Sequence, residues 1–90
     1  MHEENGTKGR YYIVHPSGES ELTYSVMSPR LVIADHTQVA SGHEGEGIGL
    51  MMLREMIADA RSKGFQIVPL CPFVNAQRRK HPEWADAFSV

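Results

Sequence analysis

Along Ser20-Glu21-Leu22-Thr23-Tyr24-Ser25-Val26 the apolar side chains fall at every second position, so Leu22, Tyr24 and Val26 share one face. That alternation predicts a half-buried antiparallel strand. The preceding Arg10-Tyr11-Tyr12-Ile13-Val14 is rich in strand formers and stops at Pro16-Ser17-Gly18, a turn that predicts a hairpin between the two. After a second turn at Ser28-Pro29, the stretch Arg30 to Val39 opens on the continuous apolar run Leu31-Val32-Ile33-Ala34. This pattern predicts a central strand covered on both faces.

From Ile48 the period changes. Ile48, Met52, Leu53, Met56, Ile57 and Ala60 recur at spacings of three and four, which predicts an amphipathic helix over 48–63. Gly64 stands where a left-handed helix terminus favours glycine. Phe65 to Leu70 reads as a short strand closed by Cys71-Pro72, and Phe73 to about Lys80 as a shorter helix stopped by His81-Pro82. Trp84 and Phe88 are expected to anchor the chain end by packing. Residues 1–9 are polar, hold Gly6 and Gly9, and are expected to form a flexible tail. Residues 10–90 are expected to form one domain. The order β-β-β-α-β-α describes an α+β chain, an antiparallel meander followed by a parallel βαβ pair with a right-handed crossover.

Composition narrows the function without naming it. Ninety residues, 41% hydrophobic and 22% charged, support one core of two packed layers and no second domain. A formal net charge of −2 offers no basic footprint for nucleic acid. No apolar run approaches the roughly 20 residues of a membrane helix, and the first residues lack the pattern of a signal peptide. The single cysteine, Cys71, has no partner for an internal disulfide, which suits a reducing cytosol and a cytoplasmic location. The five histidines show neither HExxH nor paired Cys/His spacing, so no metal site is expected.

Between the third predicted strand and its helix, Ala40 to Gly49 holds four glycines. Backbone N–H groups unobstructed by side chains, at the positive end of a helix, suit an anion such as a phosphate. A plain turn would satisfy the same pattern, so the loop alone does not decide.

Three segments in order carry a resemblance. Val39 is followed by Glu44-Gly45-Glu46-Gly47-Ile48-Gly49; Pro69-Leu70-Cys71-Pro72-Phe73-Val74 follows the next strand; Arg79-Lys80-His81-Pro82-Glu83-Trp84 lies near the end. With His36-Thr37-Gln38-Val39, these resemble the GCN5-related N-acetyltransferase (GNAT) superfamily and, within it, small stand-alone YjdJ-like acetyltransferase-domain proteins. The resemblance runs from about Arg10 to Phe88. It implies the minimal GNAT fold, with the two parallel strands splayed around a cleft that takes acetyl-CoA or coenzyme A. It further implies that the pantetheine arm lies beside Val39. The pyrophosphate would then sit on the amides of Gly45, Gly47, Ile48 and Gly49, where a β-carbon at Gly47 or Gly49 would hold it away. Asn75 falls in the second cofactor segment, and Arg78 and Arg79 are candidates for supplying positive charge.

The chain departs from the family pattern at four positions. Glu44 and Glu46 stand where basic or amide side chains are usual, and each carboxylate would repel a pyrophosphate by roughly 1 kcal/mol. Gln77 stands where a tyrosine acid is common, and Gln38 where a glutamate base is common. Candidate catalytic side chains are therefore Cys71, as nucleophile or as acid for the leaving thiolate, and His36 or His43 as base. A buried apolar filler competes as the reading of Cys71, and a structural or surface role as that of each histidine. Three functions remain open: transfer of an acetyl group from acyl-CoA to an unknown amine, acyl-CoA or protein binding without turnover, and a phosphate- or nucleotide-binding mini-domain. The N-terminal stretch is too short for the family's usual helices over the acceptor side. A homo-oligomer or another partner is therefore expected to complete that side.

Overall fold

The computed structural model describes residues 1–90. Strands β1 (His2–Asn5), β2 (Lys8–His15), β3 (Gly18–Ser28) and β4 (Leu31–Gln38) form an antiparallel meander. Helix α1 (Ile48–Lys63) crosses over to β5 (Gln66–Pro69), which pairs parallel with β4. Helix α2 (Pro72–Lys80) and a 3-10 turn (Pro82–Ala87) complete the chain. The sheet order is β1-β2-β3-β4-β5. The α+β arrangement read from the sequence, an antiparallel meander followed by a parallel βαβ pair, is observed, with one further strand, β1, at its start.

The strand alternation places the core. Ser20, Leu22 and Tyr24 of β3 are buried, and their cross-strand partners include Tyr11 on β2 and Ala34 on β4. Against this face α1 sets Met52, Leu53, Met56, Ile57 and Ala60, the stripe predicted from spacing. Val74 of α2, with Trp84 and Phe88 beyond it, closes the same 17-residue cluster. Each large apolar side chain removed from water here contributes on the order of 1.5–3 kcal/mol before entropy is counted. The chain end also covers the β5 edge, where Ser89 N–H donates to the Ile67 carbonyl at 2.9 Å. Covering that edge protects it from pairing with another chain.

Two sequence expectations are corrected. Residues 1–9 are not a loose tail: His2–Asn5 is β1, paired with Lys8–Tyr11 through the glycine-led two-residue connection Gly6-Thr7. A polar network holds it to the core face. The His2 ring stacks on Tyr11 at 4.3 Å and bonds the Tyr24 hydroxyl, which in turn donates to Glu4 at 2.7 Å. Tyr11 donates to Asp59 of α1 at 2.8 Å, and burial followed by this carboxylate raises the phenol well above the usual tyrosine range. The second correction concerns β4. Only Val32 and Ala34 are buried, while Leu31, Ile33 and Asp35 are partly exposed. Both helices pack on one face of the sheet, so β4 has a covered side and an open side.

Candidate functional site

Strand β5 pairs with β4 along its whole length and then stops, while β4 runs on to Gln38. Their pairing runs from Leu31 opposite Gln66 to Ala34 opposite Pro69, and the last link is Cys71 N–H to the Ala34 carbonyl at 2.9 Å. Just past that point Asp35 is an extra residue in β4, since Thr23 pairs with His36 and Tyr24 with Ala34. A bulge there bends the strand away and increases its twist. Beyond Ala34 no strand pairs with β4 on the β5 side. The result is an opening beside the unpaired end of β4.

A cleft of about 370 Å³ occupies this opening. Thr37 and Val39 form one wall, and Leu50 of α1 and Phe73 of α2 form another. Gly45, Gly47, Ile48 and Gly49 line the loop side, with His43 and Gln77 completing the lining. Gly47 is the residue before α1 and has φ 77°, a left-handed conformation that glycine adopts without strain. It supplies no side-chain cap, and the first turn holds no acidic residue. The first helical bond is Met51 N–H to the Gly47 carbonyl, which leaves the amides of Ile48, Gly49 and Leu50 without a protein acceptor. A β-carbon added at Gly45 or Gly47 would meet nothing within 4 Å. These positions form a bare backbone cradle suited to an anion.

Gly49 also serves packing. A β-carbon there would lie 2.8 Å from the Phe73 ring, so its small size lets α2 pack against the start of α1. The two acidic loop residues are also occupied differently. Glu44 accepts the Gly42 N–H at 2.8 Å, and Glu46 pairs with His43 Nδ1 at 2.9 Å. Their carboxylates tie the loop to itself.

The structure brings Val39, Gly45, Gly47, Ile48 and Gly49 together and leaves the other candidates apart. His36 lies on the open face of β4, opposite in direction to Thr37, and does not line the cleft. Cys71 is buried behind the wall, with its Sγ 3.3 Å from the Thr37 hydroxyl. Asn75 and Arg78 bond each other, Arg78 Nε donating to Asn75 Oδ1 at 2.8 Å, and neither they nor Arg79 lines the cleft. Thr37 lines the cleft on the same strand face as Val39, opposite His36. Sequence reading missed Leu50 and Phe73 as lining residues, and one signal could have found Phe73: it shares a helix face with Gln77.

A larger depression of about 600 Å³ opens on the other side of the sheet, lined chiefly by charged groups such as Glu3, Lys8, Arg10 and Asp35. Those groups already satisfy one another. Arg10 bonds Glu3, Glu19 and Glu21, while Lys8 donates to Ser25, which donates to Asp35. The glycine cleft, with three free amides, is therefore the stronger site despite its smaller volume. No group of three or more His, Cys, Asp or Glu side chains is placed to hold a metal ion.

Comparison with known proteins agrees with the geometry. A family model described as GCN5-related N-acetyl-transferase matches residues 10–87. The solution structure of a GCN5-like candidate N-acetyltransferase from Staphylococcus aureus superposes with a TM-score of 0.75. The two sequences are 23% identical, and the match covers 99% of this chain and 87% of that one. No curated protein matches the chain.

Proposed function

Because the chain belongs to the GCN5-related N-acetyltransferase family, we propose that it binds acetyl-CoA in the cleft between the unpaired end of β4 and the two helices and transfers the acetyl group to an amine. The observation that carries this reading is the bare cradle of Gly45, Gly47 and the Ile48–Leu50 amides at the mouth of the strand opening. A diphosphate fits that cradle by charge and by backbone access, and an extended pantetheine arm fits the unpaired side of β4. Bound acetyl-CoA would supply the activated thioester carbonyl. Backbone N–H groups around Val39 would polarise it, a role that needs no particular side chain.

The side chains available for proton transfer are few. His43 is the one titratable side chain lining the cleft, and it is engaged with Glu46. Cys71 is buried behind Thr37, its Sγ 3.3 Å from that hydroxyl, and is not placed to attack a substrate in the cleft. Gln77 holds or orients through hydrogen bonds alone. This scarcity favours a second reading, in which the same cleft holds acyl-CoA without turnover.

Thermal unfolding with acetyl-CoA, coenzyme A and ADP separates binding from its absence. Ligand at ten times its dissociation constant adds about 1.4 kcal/mol, a rise of about 6–11 °C for a domain this size. The reading predicts that rise with both coenzyme A species and little with ADP. Thiol release from acetyl-CoA in the presence of small primary amines and lysine peptides then tests transfer. Stabilisation without thiol release supports the binding module, and no stabilisation by any ligand at millimolar concentration rejects both readings.

A further inference from the structure

We propose that Ser20 and His15, on the β2–β3 hairpin, are positioning residues that hold the glycine loop in the shape its anion requires. The claim rests on the reading that this loop takes the diphosphate of coenzyme A. Ser20 is the single fully buried polar side chain of the sheet, at 0% exposure. Its Oγ accepts the Ala40 N–H at 2.8 Å and lies 2.9 Å from His15 Nε2. Ala40 directly follows Val39, so this bond fixes the chain where it leaves the cleft wall and enters the loop. From there the Ala40 carbonyl accepts the His43 N–H at 3.0 Å, and the Ser41 carbonyl accepts the Ser17 hydroxyl at 3.4 Å. The His15 ring stacks on His43 with centroids 3.9 Å apart, and His43 also holds Glu46. Three hairpin residues thus grip the loop from behind, while its amides face the cleft.

Proton placement sharpens the claim. With Oγ already accepting from Ala40, the buried hydroxyl proton of Ser20 has one partner left, the Nε2 of His15. His15 must then carry its own proton on Nδ1. Neither residue lines the cleft, so each acts through Ala40 and His43 on the groups that do.

The test combines nitrogen NMR of the ligand-free chain with calorimetric titration of coenzyme A, on the wild type, Ser20→Ala, His15→Phe and Ile57→Val. His15→Phe retains a ring against His43 but removes the hydroxyl's acceptor, and Ile57→Val loosens the core far from the loop. Expected are an Nδ1-protonated His15 in the wild type, altered Gly45 and Gly47 amide resonances in both hairpin variants, and about tenfold weaker coenzyme A binding in Ser20→Ala. Ile57→Val should lower Tm while leaving the loop resonances and the affinity unchanged. An Nε2-protonated wild-type His15 overturns the proposal, as do unmoved loop resonances with affinity within twofold of wild type. If Ser20→Ala fails to fold, the wild-type tautomer and the loop resonances of His15→Phe still decide the claim, and neither needs ligand. A wild type that binds no coenzyme A would sink the cofactor reading, while the tautomer and loop resonances would still decide the positioning claim.

Discussion

Glycine stands at both ends of α1, in nearly the same backbone conformation, and the two ends are built in opposite ways. At the C-terminus Gly64 has φ 80°, and its N–H and that of Phe65 both close on the Ala60 carbonyl. Arg61 adds a bidentate contact to Asp86 and a bond to the Glu83 carbonyl, and Arg61 and Lys63 suit the negative end of the helix. At the N-terminus Gly47 has φ 77° and provides no cap, no carboxylate lies in the first turn, and three amides have no acceptor. The chain completes one end with its own groups and leaves the other unfinished beside a 370 Å³ cleft. That contrast distinguishes a structural helix terminus from one available to a ligand.

The strongest way to break the contrast is to finish the open end. Gly47→Asp places an acceptor and a negative charge at the first turn, and aspartate tolerates positive φ better than most residues. Coenzyme A affinity should fall about a hundredfold, or ~2.7 kcal/mol, by calorimetric titration. Gly49→Ala should act on packing, because its β-carbon would press on the Phe73 ring. A loss of about 1–3 kcal/mol in urea unfolding is expected, partly restored by Phe73→Leu.

A matched pair sharpens the comparison further. Gly47→Ala and Gly64→Ala each force a β-carbon into a left-handed backbone with open space around it, costing about 1–2 kcal/mol apiece. Only Gly47→Ala should also weaken coenzyme A binding, while Gly64→Ala should leave affinity within twofold of wild type. Equal effects on affinity would mean that the two ends do not differ in function.

The smallest effect belongs to the closed end in acid. The Arg61 guanidinium lowers the Asp86 carboxyl below its ordinary value, and Glu83 is lowered by its backbone hydrogen bond and then by His81. A folded-state value below the unfolded one gives stability that is present above about pH 4 and lost as pH falls through the folded value. Thermal scans should therefore show Tm falling in acid, with a shallower fall in Asp86→Asn. Both carboxylates are exposed, so the change is small.

The extent of α1 was legible because glycines bracket a 3.6-residue stripe, and every apolar position of that stripe is buried. The cradle was legible for a related reason: glycines placed just before a helix restrict what the backbone can do. The sequence could not reveal which side of β4 was covered, since a continuous apolar run fits either arrangement until the number of helical layers is known. Nor could it place Cys71 behind Thr37, because that depends on where β5 leaves β4, and a single extra residue, Asp35, sets that point. The family resemblance offers Asn75 and Arg78 as cofactor contacts, and their spacing of three on one helix also lets them bond each other. β1 was overlooked because its residues are polar, and its anchoring uses His2, Glu4, Tyr11 and Tyr24 in place of apolar packing.

Amide mapping by NMR during titration with coenzyme A tests the central claim most directly. The account predicts shifts concentrated at Gly45, Gly47, Ile48, Gly49 and Leu50, with Gly64 and Phe65 unmoved. Shifts centred on Lys8, Arg10 and Asp35 across the sheet, or none at saturating coenzyme A, would contradict it.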